Sequence, residues 1–260
     1  MTLVTVPAAS IAGMVFSLVV SFALPLGLLA YAKKKLSAKI ASFFIGCGVF
    51  FLVVLLLESL VHRIVFLFTG SALTENLVLY ALYGGLMAAL FEETGRYLAM
   101  KFLVRPLDFP NAFLYGVGHG GLEAMLLCGA ASISNLVSAN MINSGAMSVQ
   151  LASLDAQTAA NSAAALSALW TTPSLAFFAG GVERIIAIML HISLSLLVFS
   201  ALQKRSRKVL LTAYLFHFVV DAASVLLHAF VSIWVVELAV ALLTGLAVLA
   251  AKRTCHSTEP

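Results

Sequence analysis

The sequence is poor in charge. Only 10% of its 260 residues are Asp, Glu, Lys or Arg, against 62% hydrophobic residues. An ordinary soluble domain has about 25% charged and about 45–50% apolar residues. This composition cannot cover a water-facing surface, which excludes a soluble globular fold and a disordered chain. Cysteine is scarce as well. Cys47, Cys128 and Cys255 are scattered and odd in number, so neither a disulfide framework nor a paired-cysteine zinc site is indicated. There is no repeat of fixed period and no soluble domain. The N-terminal stretch MTLVTVPAAS lacks the basic segment of a cleaved signal, so the first apolar run reads as a retained span. What the chain has in quantity is long apolar runs, the mark of membrane-spanning helices.

Hydropathy predicts an all-α, polytopic membrane helix bundle, a single integral membrane domain over residues 1–260. Its seven spans fall at about 10–32, 40–61, 76–100, 111–130, 172–202, 209–229 and 231–251. Asp108-Phe109-Pro110-Asn111 has the features of a helix start, with a capping side chain and Pro in the first turn. The formal charge of +4 does not signal nucleic acid, because the bases mark topology instead. Lys33, Lys34, Lys35, Lys39, Lys101, Arg105, Lys204, Arg205, Arg207, Lys208, Lys252 and Arg253 all thread to one side, twelve of the fifteen bases. The positive-inside rule then predicts the N-terminus outside and the C-terminus inside. Residues 131–170, rich in Ala, Ser and Asn, form the one long connection, on the outer side, with room for short interfacial helices.

Some charges lie where charge is costly. An ionisable group at the centre of a span costs about 2.5–3.5 kcal/mol on insertion scales and is a functional candidate by default. These are Glu92, Glu93 and Arg96 in the third span, His119 and Glu123 in the fourth, Glu183, Arg184 and His191 in the fifth, and His217 and Asp221 in the sixth. Measured from the basic ends at 1.5 Å per residue, Glu92, His119, Glu123, His191, His217 and Asp221 sit roughly 12–20 Å deep. Four helices thus deliver His and carboxylate groups to one layer. Arg96 can pair with Glu92 at i,i+4 or with Glu93 at i,i+3, and His119–Glu123 and His217–Asp221 are both i,i+4. Two adjacent acids sharing one arginine leave a carboxylate free to act as a general acid or base. Glycines flank this layer at 84–85, 116, 118, 120–121 and 180–181, letting helices approach closely. Arg184 with Glu183 reads as a structural pair. Glu58, His62 and Arg63 read as an interfacial cluster at the outer end of the second span, and His228 and Glu237 as solvated groups near the outer surface.

The string Phe91-Glu92-Glu93-Thr94-Gly95-Arg96-Tyr97 resembles the YhfC family of intramembrane metalloproteases. Gly116-Val117-Gly118-His119-Gly120-Gly121-Leu122-Glu123, Glu183-Arg184 with His191, and His217-xxx-Asp221 extend the resemblance to about residue 230. More distantly, the chain is similar to the CAAX-processing and bacteriocin-processing membrane proteases. Their double glutamate, aromatic-xxx-His and His-xxx-Asn/Asp motifs correspond to Glu92-Glu93, Tyr115-xxx-His119 and His217-xxx-Asp221. Here the arginine follows the second glutamate by three residues, where the larger group usually has four. His191-xxx-Ser195 is a second candidate for the third motif.

The resemblance implies a multi-pass protein of a bacterial cytoplasmic membrane that hydrolyses a peptide bond of a membrane-associated or lipidated polypeptide. Glu92 would be the general base, with His119 holding the water and Glu93 assisting or binding Arg96. His217 and Asp221, or His191, would stabilise the oxyanion or bind a metal. Glu123 and Glu183 are possible additional members. In a zinc version, ligands would come from His119, Glu123, His191 and His217, with Glu92 and Asp221 also available. There is no His-Glu-x-x-His helix, and the double-glutamate chemistry of the larger group needs no cofactor; the balance tips to the metal-free version. The alternative in a different class is a proton- or ion-coupled transporter using the same buried layer, although no inverted repeat is visible. A haem carrier ligated by His119, His191 or His217 would leave the double glutamate and Arg96 unexplained.

Overall fold

The structure is a computed structural model that describes residues 4–256. It is helical, with no strand among the described residues. Among the described residues, seven helices are long and apolar enough to cross a membrane: α1 (Ala8–Lys35), α2 (Ile40–Thr69), α3 (Leu77–Phe102), α4 (Phe109–Asn143), α5 (Ala176–Gln203), α6 (Arg207–His228) and α7 (Ile233–Cys255). They follow the expected spans within a few residues, with two clear exceptions. Helix α2 runs past 61 to Thr69, and α4 runs past 130 to Asn143. Each contains a stretch of wider π-helical turns, Phe50–Glu58 in α2 and Ala124–Gly129 in α4. Such turns rotate the residues that follow relative to a regular α-helix.

The chain forms two compact units. The first comprises residues 4–23 and Ala124–Arg184. Its core gathers Val6, Met14, Ala139 and Leu169. Asn143 ties the start of the chain into this core: its Oδ1 accepts from Val6 N at 2.7 Å, and its Nδ2 donates to Val6 O at 3.1 Å. Between α4 and α5, where a long loop over 131–170 was expected, helix continues to Asn143. Two short helices, Ala146–Ala152 and Ala156–Leu166, then precede a single turn at Ala168–Thr171.

The second unit comprises Leu24–Glu123 and residues 185–256. Its helices pack at short range because the sequence places glycine at the crossings. A Cβ on Gly118 would lie 2.0 Å from Phe43 O, and one on Gly46 would lie 2.2 Å from Tyr115 O, so α2 and α4 meet backbone to backbone. Gly85 does the same for α3 against α6, where a Cβ would come within 2.7 Å of Phe218 O. One end of the α2–α4 pair is pinned by Asn111, whose Oδ1 accepts from Lys39 N and from Ser42 Oγ, both at 2.9 Å. Asp108 in turn accepts from Asn111 N at 3.0 Å, the cap expected at this helix start. Helix α5 is the most buried of the seven, with 67% of its most apolar window buried against 17–28% for the others. Its apolar character on all sides follows from that position.

Candidate active site

Glu92 and Glu93 are neighbours on α3, and about 100° of helical rotation turns them to different partners. Glu92 faces three imidazoles carried by three other helices. Its Oε2 lies 2.8 Å from His119 Nε2 on α4, 3.8 Å from His217 Nε2 on α6 and 3.9 Å from His191 Nδ1 on α5. Glu93 is held differently. His217 Nδ1 meets its Oε1 at 2.8 Å, and Arg96 Nε lies 3.3 Å from its Oε2. Of the two acids open to Arg96, the structure selects Glu93. The rest of the guanidinium is spent on α5, where Nη1 donates to His191 O at 2.6 Å and to Ser195 Oγ at 2.8 Å, and Nη2 to His191 Nδ1 at 3.0 Å.

These bonds assign protons. His191 Nδ1 accepts from Arg96, so the ring proton sits on Nε2, which meets Glu123 Oε2 at 2.6 Å. His217 gives its Nδ1 proton to Glu93 and turns Nε2 towards Glu92 and towards Asp221 Oδ2 at 3.4 Å. His119 Nδ1 is buried and has no hydrogen-bond partner among the described residues. Its ring is packed edge-on by Phe50, with centroids 5.5 Å apart, and lies beside that of His191 at 4.8 Å. Glu93, Arg96 and His119 are fully buried. The network becomes more open towards Asp221, whose side chain is 34% exposed.

Eight of the residues singled out from the sequence therefore form one network: Glu92, Glu93, Arg96, His119, Glu123, His191, His217 and Asp221. Glu183 takes a different place. It pairs with its neighbour Arg184, belongs to the first unit, and has a half-exposed side chain. Sharing a helical face did not decide the partners of His119 and Glu123, because each bonds across to another helix instead. Two acids assigned to the outer surface are buried, Glu58 on α2 and Glu237 on α7. Glu58 accepts from His62 Nε2 at 3.2 Å, and His62 Nδ1 meets Tyr83 OH at 2.8 Å. Glu58 is therefore a buried member of a Glu58–His62–Tyr83 cluster rather than a solvated interfacial acid. The apolar run through Phe68 was the available signal that this span extends well beyond Glu58.

The donor set suits a metal. Ligand atoms of Glu92, His119 and His191 lie within 4.8 Å of one another, all buried. Two imidazoles and a carboxylate make one of the usual catalytic zinc sets. Glu123 on His191 Nε2 has the form of the carboxylate that commonly backs a ligating histidine. Arg96 stands on the other nitrogen of the same ring, so ligation through Nδ1 requires the guanidinium to give up that one bond.

No solved structure matches the chain. It is 39% identical over 236 residues to the uncharacterized membrane protein YhfC of Bacillus subtilis (strain 168), covering 88% of this chain and 90% of that protein. The profile of the YhfC intramembrane metalloproteases matches residues 20–240, a stretch that includes every member of the network. The seven apolar helices agree with a multi-pass bacterial membrane protein, and the family supports a protease activity. The chain belongs to the YhfC intramembrane metalloprotease family.

Proposed function

We propose that the protein hydrolyses a peptide bond of a membrane-embedded or lipidated polypeptide, using a water positioned at Glu92. The observation that carries this reading is the convergence of His119, His191 and His217 on one carboxylate oxygen of Glu92. Glu92 takes the proton of the water as its oxygen attacks the carbonyl carbon, and later returns that proton to the leaving amine. His119 orients the water. His217, doubly protonated with Nδ1 on Glu93 and Nε2 facing Asp221, donates from Nε2 to the oxyanion in a site sheltered from bulk water, where such stabilisation is strong. Arg96 and Glu93 are positioning residues: they hold His191 and His217 without touching the substrate. Where the family's metal is bound, Glu92, His119 and His191 would hold it, and it supplies Lewis-acid polarisation of the scissile carbonyl. The basic helix ends, in this reading, face the cytoplasm.

The test compares membrane-protein fragments in cells that express the wild type or Glu92→Gln. Glu92→Gln and His119→Ala are each expected to lower cleavage by about 10²–10⁴-fold while leaving the helical content unchanged. Full cleavage by both variants would rule the proposal out. Elemental analysis of the purified protein, paired with activity before and after chelation, separates the two chemistries: loss on chelation and recovery with zinc favours the metal version.

A further inference from the structure

A second feature of the same helices has no part in the proposed chemistry. The far ends of α3, α5 and α6 line an open-mouthed cavity of about 370 Å³. Its lining includes Tyr97, Lys101, Arg205, Ser206 and Arg207, three bases and no acid. All three bases are exposed. The Lys101 ammonium lies 5.6 Å from the centre of the Tyr97 ring, which steadies it without neutralising it. Among the described residues, neither the Arg205 nor the Arg207 guanidinium has an acid partner.

The backbone at Arg205 adds an independent observation. It adopts φ = +50°, the left-handed conformation in which a side chain is strained. It closes the end of α5, with Ser206 N donating to Ala201 O at 3.0 Å, at a position where glycine is the usual residue. An arginine in a conformation that glycine would adopt without strain points to a use for its guanidinium. Leu98, Phe102 and Leu211, next in sequence to the lining residues Tyr97, Lys101 and Leu210, are exposed apolar side chains on α3 and α6, suited to acyl chains rather than to water. The volume falls in the range of small-ligand sites.

We propose that this cavity binds the phosphate of an anionic phospholipid headgroup. The headgroup joins the ends of the three helices that carry Glu92, Glu93 and Arg96, His191 and Ser195, and His217 and Asp221. Lys101 is only five residues beyond Arg96, about 7.5 Å along α3, so tightening this end restrains the network directly. Basic pockets between membrane helices are recognised sites for such headgroups.

The test is a lipid titration of the full-length protein in detergent, with bound lipid counted by native mass spectrometry. Phosphatidylglycerol is expected to bind at least tenfold more tightly than phosphatidylcholine, and inorganic phosphate at matched concentration is not expected to displace it. Arg205→Gly removes the guanidinium and relieves the backbone, so it should fold at least as well yet bind phosphatidylglycerol about fivefold more weakly, as should Arg207→Gln. Lys33→Gln with Lys34→Gln, bases outside the cavity, should leave binding unchanged. Equal binding of the two lipids, displacement by inorganic phosphate, full binding by the Arg205→Gly/Arg207→Gln double variant, or an equal loss in the Lys33/Lys34 control would each overturn the proposal.

Discussion

Two regions of the molecule satisfy their polar groups in opposite ways. In the Glu92 network the partners are far apart in sequence: 27 residues separate His119 from Glu92, 95 separate Arg96 from His191, and 124 separate His217 from Glu93. In the segment between α4 and α5 the partners are three or four residues apart, as in Ser148 to Gly145, Ser153 to Gln150, Gln157 to Asn161 and Ser167 to Ala164. A local bond forms as soon as its own turn forms, and losing it affects little else. The network exists only when four helices are assembled, and each member holds another in place. Its substitutions should therefore be large and non-additive, whereas those of the segment should be small and independent.

The largest effect should come from Glu93. Glu93→Gln leaves Arg96 buried without its counter-charge and loosens the hold on His217, and breaking such a buried pair costs about 3–5 kcal/mol. The double variant Glu93→Gln/Arg96→Met should recover part of that loss, because the uncompensated guanidinium is gone. Glu183→Gln removes the charge of a half-exposed acid and should fall within about 0.5 kcal/mol of wild type. Denaturant unfolding of the purified protein measures all three. Similar losses for Glu93→Gln and Glu183→Gln would erase the distinction between buried and half-exposed pairs.

A smaller effect separates two adjacent glycines on α3. A Cβ on Gly84 would meet nothing within 4 Å, while one on Gly85 would lie 2.7 Å from Phe218 O and 2.9 Å from Ala222 N. Gly84→Ala should stabilise by about 0.5–1 kcal/mol, the usual gain over glycine within a helix. Gly85→Ala should push α3 from α6 and destabilise by about 1–3 kcal/mol, a typical cost of overpacking. The two helices carry Glu93 and His217, so Gly85→Ala should also reduce cleavage, and Gly84→Ala should not. The same sign for both substitutions would show that the α3–α6 contact yields more readily than the backbone distances indicate.

The contrast between local and distant bonds also explains what could be read from the sequence. Spans, the common depth of Glu92, His119, His191 and His217, and the cap at Asp108 follow from composition, helical rise and local spacing. Which oxygen faces which nitrogen depends on how each helix is rotated about its own axis, and no spacing within one helix records that. Thus i,i+4 spacing offered Glu123 to His119, but the rotation of α4 against α5 gave Glu123 to His191 and left His119 to Glu92. Glu58 closes the wider turns of Phe50–Glu58 in a helix that runs on to Thr69, so its burial could not be read from a regular span ending near 61.

The smallest effect lies in the local region, and its sign depends on pH. Asp155 begins the helix Ala156–Leu166 and accepts from Thr158 N at 2.9 Å. The Thr158 hydroxyl first, and this backbone N–H second, hold its carboxyl below the usual aspartate range. A group whose value is lowered on folding stabilises above its unfolded value, and this contribution is lost as pH falls through the folded value. Hydrogen-exchange protection at Thr158 should therefore be higher at neutral pH than at acid pH. Asp155→Asn keeps an acceptor without a titrating proton and should make protection independent of pH. Asp155→Ala should lower protection at both. Because the partners are three residues apart, the change should stay within this helix and leave protection in α3 and α6 untouched. A parallel loss there would mean that the segment is coupled to the rest of the chain by more than its local bonds.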